Sequence, residues 1–327
     1  TALGHPPPLE AGVLGQISHR IKMSALHETN SINKKAGGIT MADLREKYID
    51  TNGIRLHVME AGPENGPIIM FLHGFPEFWY AWRKQIDYFA DLGYLVVIPD
   101  QRGYNLSDKP EGIEAYKTDE MAKDVLGLID HYGHKQIYLV GHDWGASVSW
   151  WTALKYPDRI KRLVIMNVPH PKVMNKNMLT NPKQMQRSWY IFFFQLPNAP
   201  EKMASANNYE WPVGILEKSS RPGTFSPQEL EKYRQAFAQP QAFSSMINWY
   251  RATLQCRNEP PRSFRITMPA LILWGLDDIA MIPELAQQSL EYCDQGRLIT
   301  LDATHWVQHE ESAKVNQLVS DFISEAN

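Results

Sequence analysis

Residues Leu139 to Ala146 read Leu-Val-Gly-His-Asp-Trp-Gly-Ala, and no other stretch constrains the fold as strongly. A strand-like run, Gln136 to Val140, leads into it, and a helical pattern through Ser149, Trp150 and Leu154 leads out. Gly141 and Gly145 stand two residues either side of Asp143. Small residues there let the chain reverse tightly enough to lift the central side chain above the edge of a sheet. The pattern is G-x-S-x-G with aspartate where serine is expected. A serine needs a base to take its proton. A carboxylate is already ionised at neutral pH and can attack an electrophilic sp3 carbon directly, leaving an alkyl ester on the protein. Five residues alone would also suit an ordinary loop with a surface aspartate, so the rest of the chain has to decide.

The rest of the chain alternates between strand and helix. Tyr48 to Asp50, Asn52-Gly53 and Ile54 to Met59 predict a hairpin with a type I′ turn. Ile68 to Leu72 and Tyr94 to Ile98 are continuous apolar runs, as strands buried on both faces should be. Trp79, Trp82, Ile86 and Phe89 fall on one helical stripe, and Lys117 to His131 predicts an amphipathic helix with Thr118 as its N-cap. Strands at Arg162 to Met166, Ala270 to Trp274 and Leu298 to Leu301, with helices at Glu284 to Leu290 and Ala313 to Ile323, continue the rhythm. The expectation is an α/β fold: a mostly parallel central sheet with helices on both faces. Residues 171–265 break the rhythm. They carry helical, aromatic-rich pieces with Pro and Gly breaks at Asn198 to Pro200 and Ser220 to Ser226, and predict a helical cap inserted into a core made of 45–170 and 266–327. Residues 1–44, with Pro6-Pro7-Pro8, read as a tail.

Composition excludes several functions. A chain of 327 residues, 43% of them hydrophobic, can bury a large core. Its net charge of -3 makes no electrostatic case for nucleic acid, and no apolar run reaches bilayer length. A soluble, cytoplasmic protein without membrane insertion is expected. Two cysteines, Cys256 and Cys293, make neither a disulfide framework nor a zinc motif. Ten tryptophans and fourteen tyrosines exceed what a core needs, so some should line a pocket for apolar ligands.

Ligands of open parallel sheets bind beyond the carboxyl ends of the strands. Polar residues stand at four such ends: His73-Gly74-Phe75-Pro76, the Asp143 turn, Asp277-Asp278, and Thr304-His305-Trp306. Their order is nucleophile, acid, histidine. His305 suits the removal of a proton from water, since imidazole titrates near neutrality; His309 is its rival but falls inside a helical segment. Asp278 would hold the His305 ring in its working tautomer, with Asp277 as a turn residue. The amides of Phe75 and Trp144 should point at one oxygen of Asp143 and form an oxyanion hole, whereas His73 reads as structural. Phe75, Trp144, Phe194 and Trp306 are expected to wall the substrate pocket. Tyr190 and Tyr250 have phenols acidic enough to assist a poor leaving oxygen, but on composition alone they are two of many aromatics in a helical segment.

The motifs His73-Gly74-Phe75-Pro76-Glu77-Phe78-Trp79, Asp100-Gln101-Arg102-Gly103-Tyr104, Gly141-His142-Asp143-Trp144-Gly145, Asn167-Val168-Pro169-His170-Pro171, Asn248-Trp249-Tyr250-Arg251 and His305-Trp306 make the chain resemble the α/β-hydrolase epoxide hydrolases of the soluble type, bacterial members included. The likeness runs from about Tyr48 to the C-terminus. It implies Asp143 as nucleophile, Asp278 and His305 as the charge-relay pair, and Tyr190 and Tyr250 as the groups that grip the epoxide oxygen. It implies a small-molecule epoxide and water as reactants, no cofactor or metal, and leaves room for a homodimer. Gln101-Arg102 stands where the family usually has Leu-Arg, a departure away from the chemistry. Haloalkane dehalogenases share the Asp-Trp turn but release halide, for which Tyr190 and Tyr250 have no use. Fluoroacetate dehalogenases carry Arg where this chain has Trp144. A non-catalytic binding scaffold on the same fold would be favoured by loss of Asp143, Asp278 or His305, all of which are present, and a serine esterase is disfavoured by Asp143 itself.

Overall fold

A computed structural model describes residues 44–325. The tail read at 1–44 therefore lies, up to residue 43, outside the described residues. The strands are β1 (Arg45–Thr51), β2 (Ile54–Ala61), β3 (Ile68–Leu72), β4 (Leu95–Pro99), β5 (Ile137–His142), β6 (Ile160–Met166), β7 (Ala270–Gly275) and β8 (Gly296–Leu301). They form one sheet in the order β1-β2-β4-β3-β5-β6-β7-β8. β1 to β2 and β2 to β4 are antiparallel, and every pairing from β4 through β3, β5, β6 and β7 to β8 is parallel.

Local chemistry explains the elements. Asn52 and Gly53 have φ of 46° and 74°, the two positive values that a type I′ turn requires, so β1 and β2 pair without splaying. All residues of β3 and of β4 are buried, as a strand covered by helices on both faces must be. Two expectations need correction. Thr118 is the first residue of the helix Thr118–His131 and not its cap: Lys117 holds that position, and Asn258 Oδ1 accepts from the Asp119 amide at 3.0 Å instead. The stripe from Trp79 to Phe89 is split into a short 3-10 turn, Trp79–Trp82, and the helix Ile86–Asp91, although Trp82, Ile86 and Phe89 are all buried. The Trp79 amide is held by Asp100 Oδ1 at 2.8 Å, which anchors the turn to the loop after β4.

Between β6 and β7 run seven helices and no strand, from Pro171–Thr180 to Ala242–Gln255. The last of these buries Trp249, whose indole N–H donates to the carbonyl of Arg102 at 3.1 Å and ties the insertion to the loop after β4. No helix among the described residues is long and apolar enough to cross a membrane.

Candidate active site

β5 ends at His142, and the helix Trp144–Lys155 starts one residue beyond Asp143. Asp143 has φ 50° and ψ −124°, in the region that non-glycine residues avoid at a cost of roughly 1–3 kcal/mol. The surroundings enforce it. A Cβ on Gly74 would run into the Asp143 side chain, one on Gly141 into the Gly145 carbonyl, and one on Gly145 into the Leu72 carbonyl. Close approach of three backbone segments therefore fixes the turn, and the amides of Ala146 and Ser147 cap it by donating to the Asp143 carbonyl at 2.9 and 3.1 Å.

Asp143 Oδ1 accepts from the Phe75 amide at 2.7 Å, and Oδ2 lies 3.4 Å from His305 Nε2. Among the described residues the Trp144 amide makes no such bond, contrary to the sequence expectation. The carboxylate is drawn to Phe75 on one oxygen and to His305 on the other. His305 Nδ1 meets Asp278 Oδ2 at 2.7 Å. Asp278 is buried and further held by Asn167 Nδ2 at 2.8 Å and by the amides of Ala280 and Met281 at 2.7 and 3.0 Å, whereas Asp277 is exposed. The Asp278 carboxylate is thus oriented from three sides. Asn167 stands in one of the motifs that carry the resemblance, but no role in holding Asp278 had been assigned to it, although it too follows a strand end and has a positive φ of 54°.

These contacts set the charges. For Asp143, burial pushes the carboxyl up, but the His305 hydrogen bond and charge, with help from His142 and the Phe75 amide, outweigh it and hold it below its ordinary value. Asp278 is likewise lowered, its burial outweighed chiefly by His305. For His305, burial pulls the ring down, and Asp278 and Asp143 outweigh it, pushing it up to about 10. The free protein at neutral pH therefore carries an imidazolium between two carboxylates.

A cavity of about 310 Å³ opens on Asp143, with Trp144, Met174, Tyr190, Ile191 and Tyr250 among its walls. The rings of Tyr190 and Tyr250 pack edge to face, 5.8 Å apart. Burial, then the Asp143 charge, raises both phenols, so both keep their protons at neutral pH. Of the expected pocket wall, Trp144 faces the cavity. Phe75 and Phe194 instead pack behind Tyr250, at ring distances of 5.3 and 4.8 Å. Trp306 is buried against His305 and His142, its indole donating to Ser219 Oγ at 2.8 Å, because an apolar ring there shields the imidazole's outer side. His73 is buried, its Nε2 accepting from the Gln101 amide at 3.0 Å.

A polar cluster behind the site was missed from sequence. Glu77 accepts from Tyr233 at 2.8 Å, Gln308 Nε2 at 3.0 Å and His309 Nε2 at 2.7 Å. His142 donates through Nε2 to the His305 carbonyl at 2.8 Å and accepts from Gln308 at 3.0 Å, so the backbone that carries His305 is held by this cluster. No group of three or more His, Cys, Asp or Glu among the described residues is arranged to hold a metal ion.

A family described as alpha/beta hydrolase fold matches residues 67–312. The chain is similar to a Bacillus subtilis AB hydrolase superfamily protein, at 42% identity over 86% of this chain and 99% of that one. It is 37% identical to mouse (Mus musculus) epoxide hydrolase 4, covering 85% of this chain and 78% of the relative. Among solved structures it resembles a Bacillus megaterium epoxide hydrolase in complex with an inhibitor, with TM-score 0.78, 30% identity, and coverage of 85% of this chain and all of that one.

Proposed function

The chain belongs to the α/β-hydrolase family, and from that premise we propose that it is an epoxide hydrolase, opening epoxides to vicinal diols through an ester on Asp143. One observation carries this reading. Asp143 stands at the floor of the cavity, with the His305-Asp278 pair 3.4 Å behind its carboxylate and two protonated phenols in the wall. A carboxylate oxygen of Asp143 attacks a ring carbon, a C–O bond to Asp143 forms, and the ring C–O bond breaks. Hydrogen bonds from Tyr190 and Tyr250 stabilise the departing oxygen, and one of the phenols gives it its proton, so that it ends as a hydroxyl and leaves a phenolate.

Forming the ester removes the negative charge of Asp143, and with it one of the two anions that keep His305 protonated. His305 then gives up its proton, which through solvent restores the phenol that protonated the departing oxygen, and the neutral imidazole can act as a base. It takes a proton from water, and the resulting hydroxide adds to the ester carbonyl of Asp143, whose oxygen is stabilised by the Phe75 amide. Collapse of that adduct breaks the ester, releases the diol and leaves one water-derived oxygen on the protein. Helices between β6 and β7 serve as the cap that supplies the phenols. Two phenols have no task in expelling halide, so the same geometry gives less support to a haloalkane dehalogenase.

The test is to trap the ester. His305→Gln incubated with styrene oxide should gain the mass of the epoxide on the peptide containing Asp143, with no sustained diol formation. Tyr250→Phe in that background should slow the gain on the order of 10²-fold or more. An unchanged mass would refute the two-step scheme, and an unchanged rate would remove Tyr250 from it.

A further inference from the structure

We propose that the outer face of the helices Pro182–Arg187 and Trp189–Phe193 docks this protein on the surface of an anionic lipid bilayer. The two helices are nearly continuous, because the Ser188 amide donates to the Gln184 carbonyl at 2.9 Å and the Ile191 amide to the Ser188 carbonyl at 3.0 Å. Met185, Trp189 and Phe192 recur at intervals of four and three, so they share one stripe, and Leu196 follows in the turn just past the second helix. All four are exposed, Trp189 at 58% and Phe192 at 52%, and Leu179 at the end of the preceding helix is exposed at 81%. Meanwhile Gln184 and Ser188 are buried. An ordinary surface helix does the reverse, putting its polar residues outward and its large apolar ones inward. Apolar side chains grouped in this way mark a surface that something covers.

Charge identifies the covering. Residues 171–200 contain Lys172, Lys176, Lys183 and Arg187 and not one Asp or Glu, in a chain with 36 acidic residues. Lys172, Lys176 and Lys183 are exposed. Glu201 is paired with Arg251 at 2.6 Å and Asp278 is buried on His305, so the four cations of this stretch outnumber its exposed acidic neighbours Asp277 and Glu284. A second copy meeting this face across a two-fold axis would bring these lysines toward one another with no Asp or Glu in residues 171–200 to pair with them. Exposed Trp and Phe flanked by cations fit a bilayer interface with negative headgroups, where rings insert at the headgroup level and lysines meet phosphate. The docking is peripheral, and it does not depend on the chemistry proposed for the site. It has a consequence for access: Tyr190 and Ile191, in the same stretch as Trp189 and Phe192, line the cavity, so the docked face would set the pocket beside lipid-dissolved ligands.

The experiment is co-sedimentation of the full chain with phosphatidylglycerol-containing vesicles and with pure phosphatidylcholine vesicles. Binding should favour the anionic vesicles and fall at 1 M salt, where the screening length is ~3 Å. Trp189→Ser with Phe192→Ser should weaken binding about tenfold or more, while hydrolysis of a water-soluble epoxide without vesicles stays unchanged and reports that the fold is intact. Lys176→Glu with Lys183→Glu, which leaves the apolar stripe untouched, should weaken it about fivefold or more for each charge, so a failure of the first variant to fold does not remove the test. Absence of binding to anionic vesicles would overturn the proposal. So would binding by both variants as strong as that of the unsubstituted protein, or a change from dimer to monomer on substituting Trp189 and Phe192, which would make this face a contact between copies.

Discussion

His305 and His309 lie four residues apart, each buried, each with a carboxylate oxygen 2.7 Å from a ring nitrogen, and they rest in opposite charge states. The second ring nitrogen accounts for the difference. In His305 it faces Asp143, a further anion, and the ring is pushed up to about 10. In His309 it accepts from the Arg83 guanidinium at 3.0 Å; burial first, with Arg83 in support, outweighs Glu77 and pulls the ring below its ordinary value. A ring between two carboxylates stores a proton, while a ring between a carboxylate and a guanidinium is a neutral link. Access differs too: Asp143 opens His305 to the cavity, whereas His309 packs on Phe225 at 4.8 Å. A histidine paired with an acid is therefore not a site by that fact alone, and what occupies its other nitrogen decides its role.

Replacing each ring in turn gives the largest contrast. His305→Gln should cut diol formation on the order of 10²–10⁴-fold, the usual worth of a positioned base, with little loss of folding stability relative to its loss of activity. His309→Gln should keep turnover within a few-fold but lower stability by roughly 1–3 kcal/mol, because the buried Glu77 carboxylate loses a donor. Steady-state diol assays and urea unfolding of both variants measure this. Equal loss of turnover in the two would erase the distinction.

The distinction was only half legible in the sequence. Strand ends are short, apolar and fixed in register, so Asp143, Asp278 and His305 could be found by their place after β5, β7 and β8. Period and position also gave the strands of the sheet and the main helices that flank it, while the seven helices between β6 and β7 were expected only as helical pieces without bounds. The groups that tune these residues could not be found in that way. Arg83 lies 226 residues before His309 and Asn167 lies 111 before Asp278, and no local pattern reports such pairings. The phenols were harder still, since Tyr190 and Tyr250 sit on helices whose aromatic content is uniform and were singled out by resemblance, not periodicity. Trp306 misled for a related reason: its place beside His305 in the chain suggested the pocket, yet consecutive residues in a loop face different ways, and its ring turns into the core.

A smaller change is to remove the flank while keeping each ring. Asp278→Asn should lower the His305 pKa from about 10 and reduce turnover on the order of 10²–10⁴-fold, since an amide can orient the ring the wrong way round and supplies no charge. Arg83→Met should raise the His309 pKa, because the guanidinium that disfavours its proton is gone and Glu77 remains, while turnover changes by a few-fold only. Nitrogen-15 spectra of the imidazoles across a pH titration distinguish the ionised ring from the neutral one. If His309 keeps a depressed pKa without Arg83, burial with the neighbouring His142 controls it and the guanidinium does not.

The smallest expected effect is in the pH dependence of stability, where the two rings should act on opposite limbs. His305 binds its proton more tightly folded than unfolded, so its contribution is fully present below about pH 6.5 and is lost as pH rises toward about 10. His309 binds its proton less tightly when folded, so its contribution is present above about pH 6.5 and is lost as pH falls below that value. Asp143 and Asp278, both lowered, add an acid loss that begins only near their ordinary range. Unfolding midpoints in urea should therefore be highest near neutrality. His305→Gln should flatten the alkaline limb and leave the acid limb, and His309→Gln should do the reverse as pH falls below about 6.5. An alkaline limb equally steep with and without the His305 imidazole would mean that the resting protein holds no proton between Asp143 and Asp278. The ester would then have no stored charge to release, and the water-activating step would need another account.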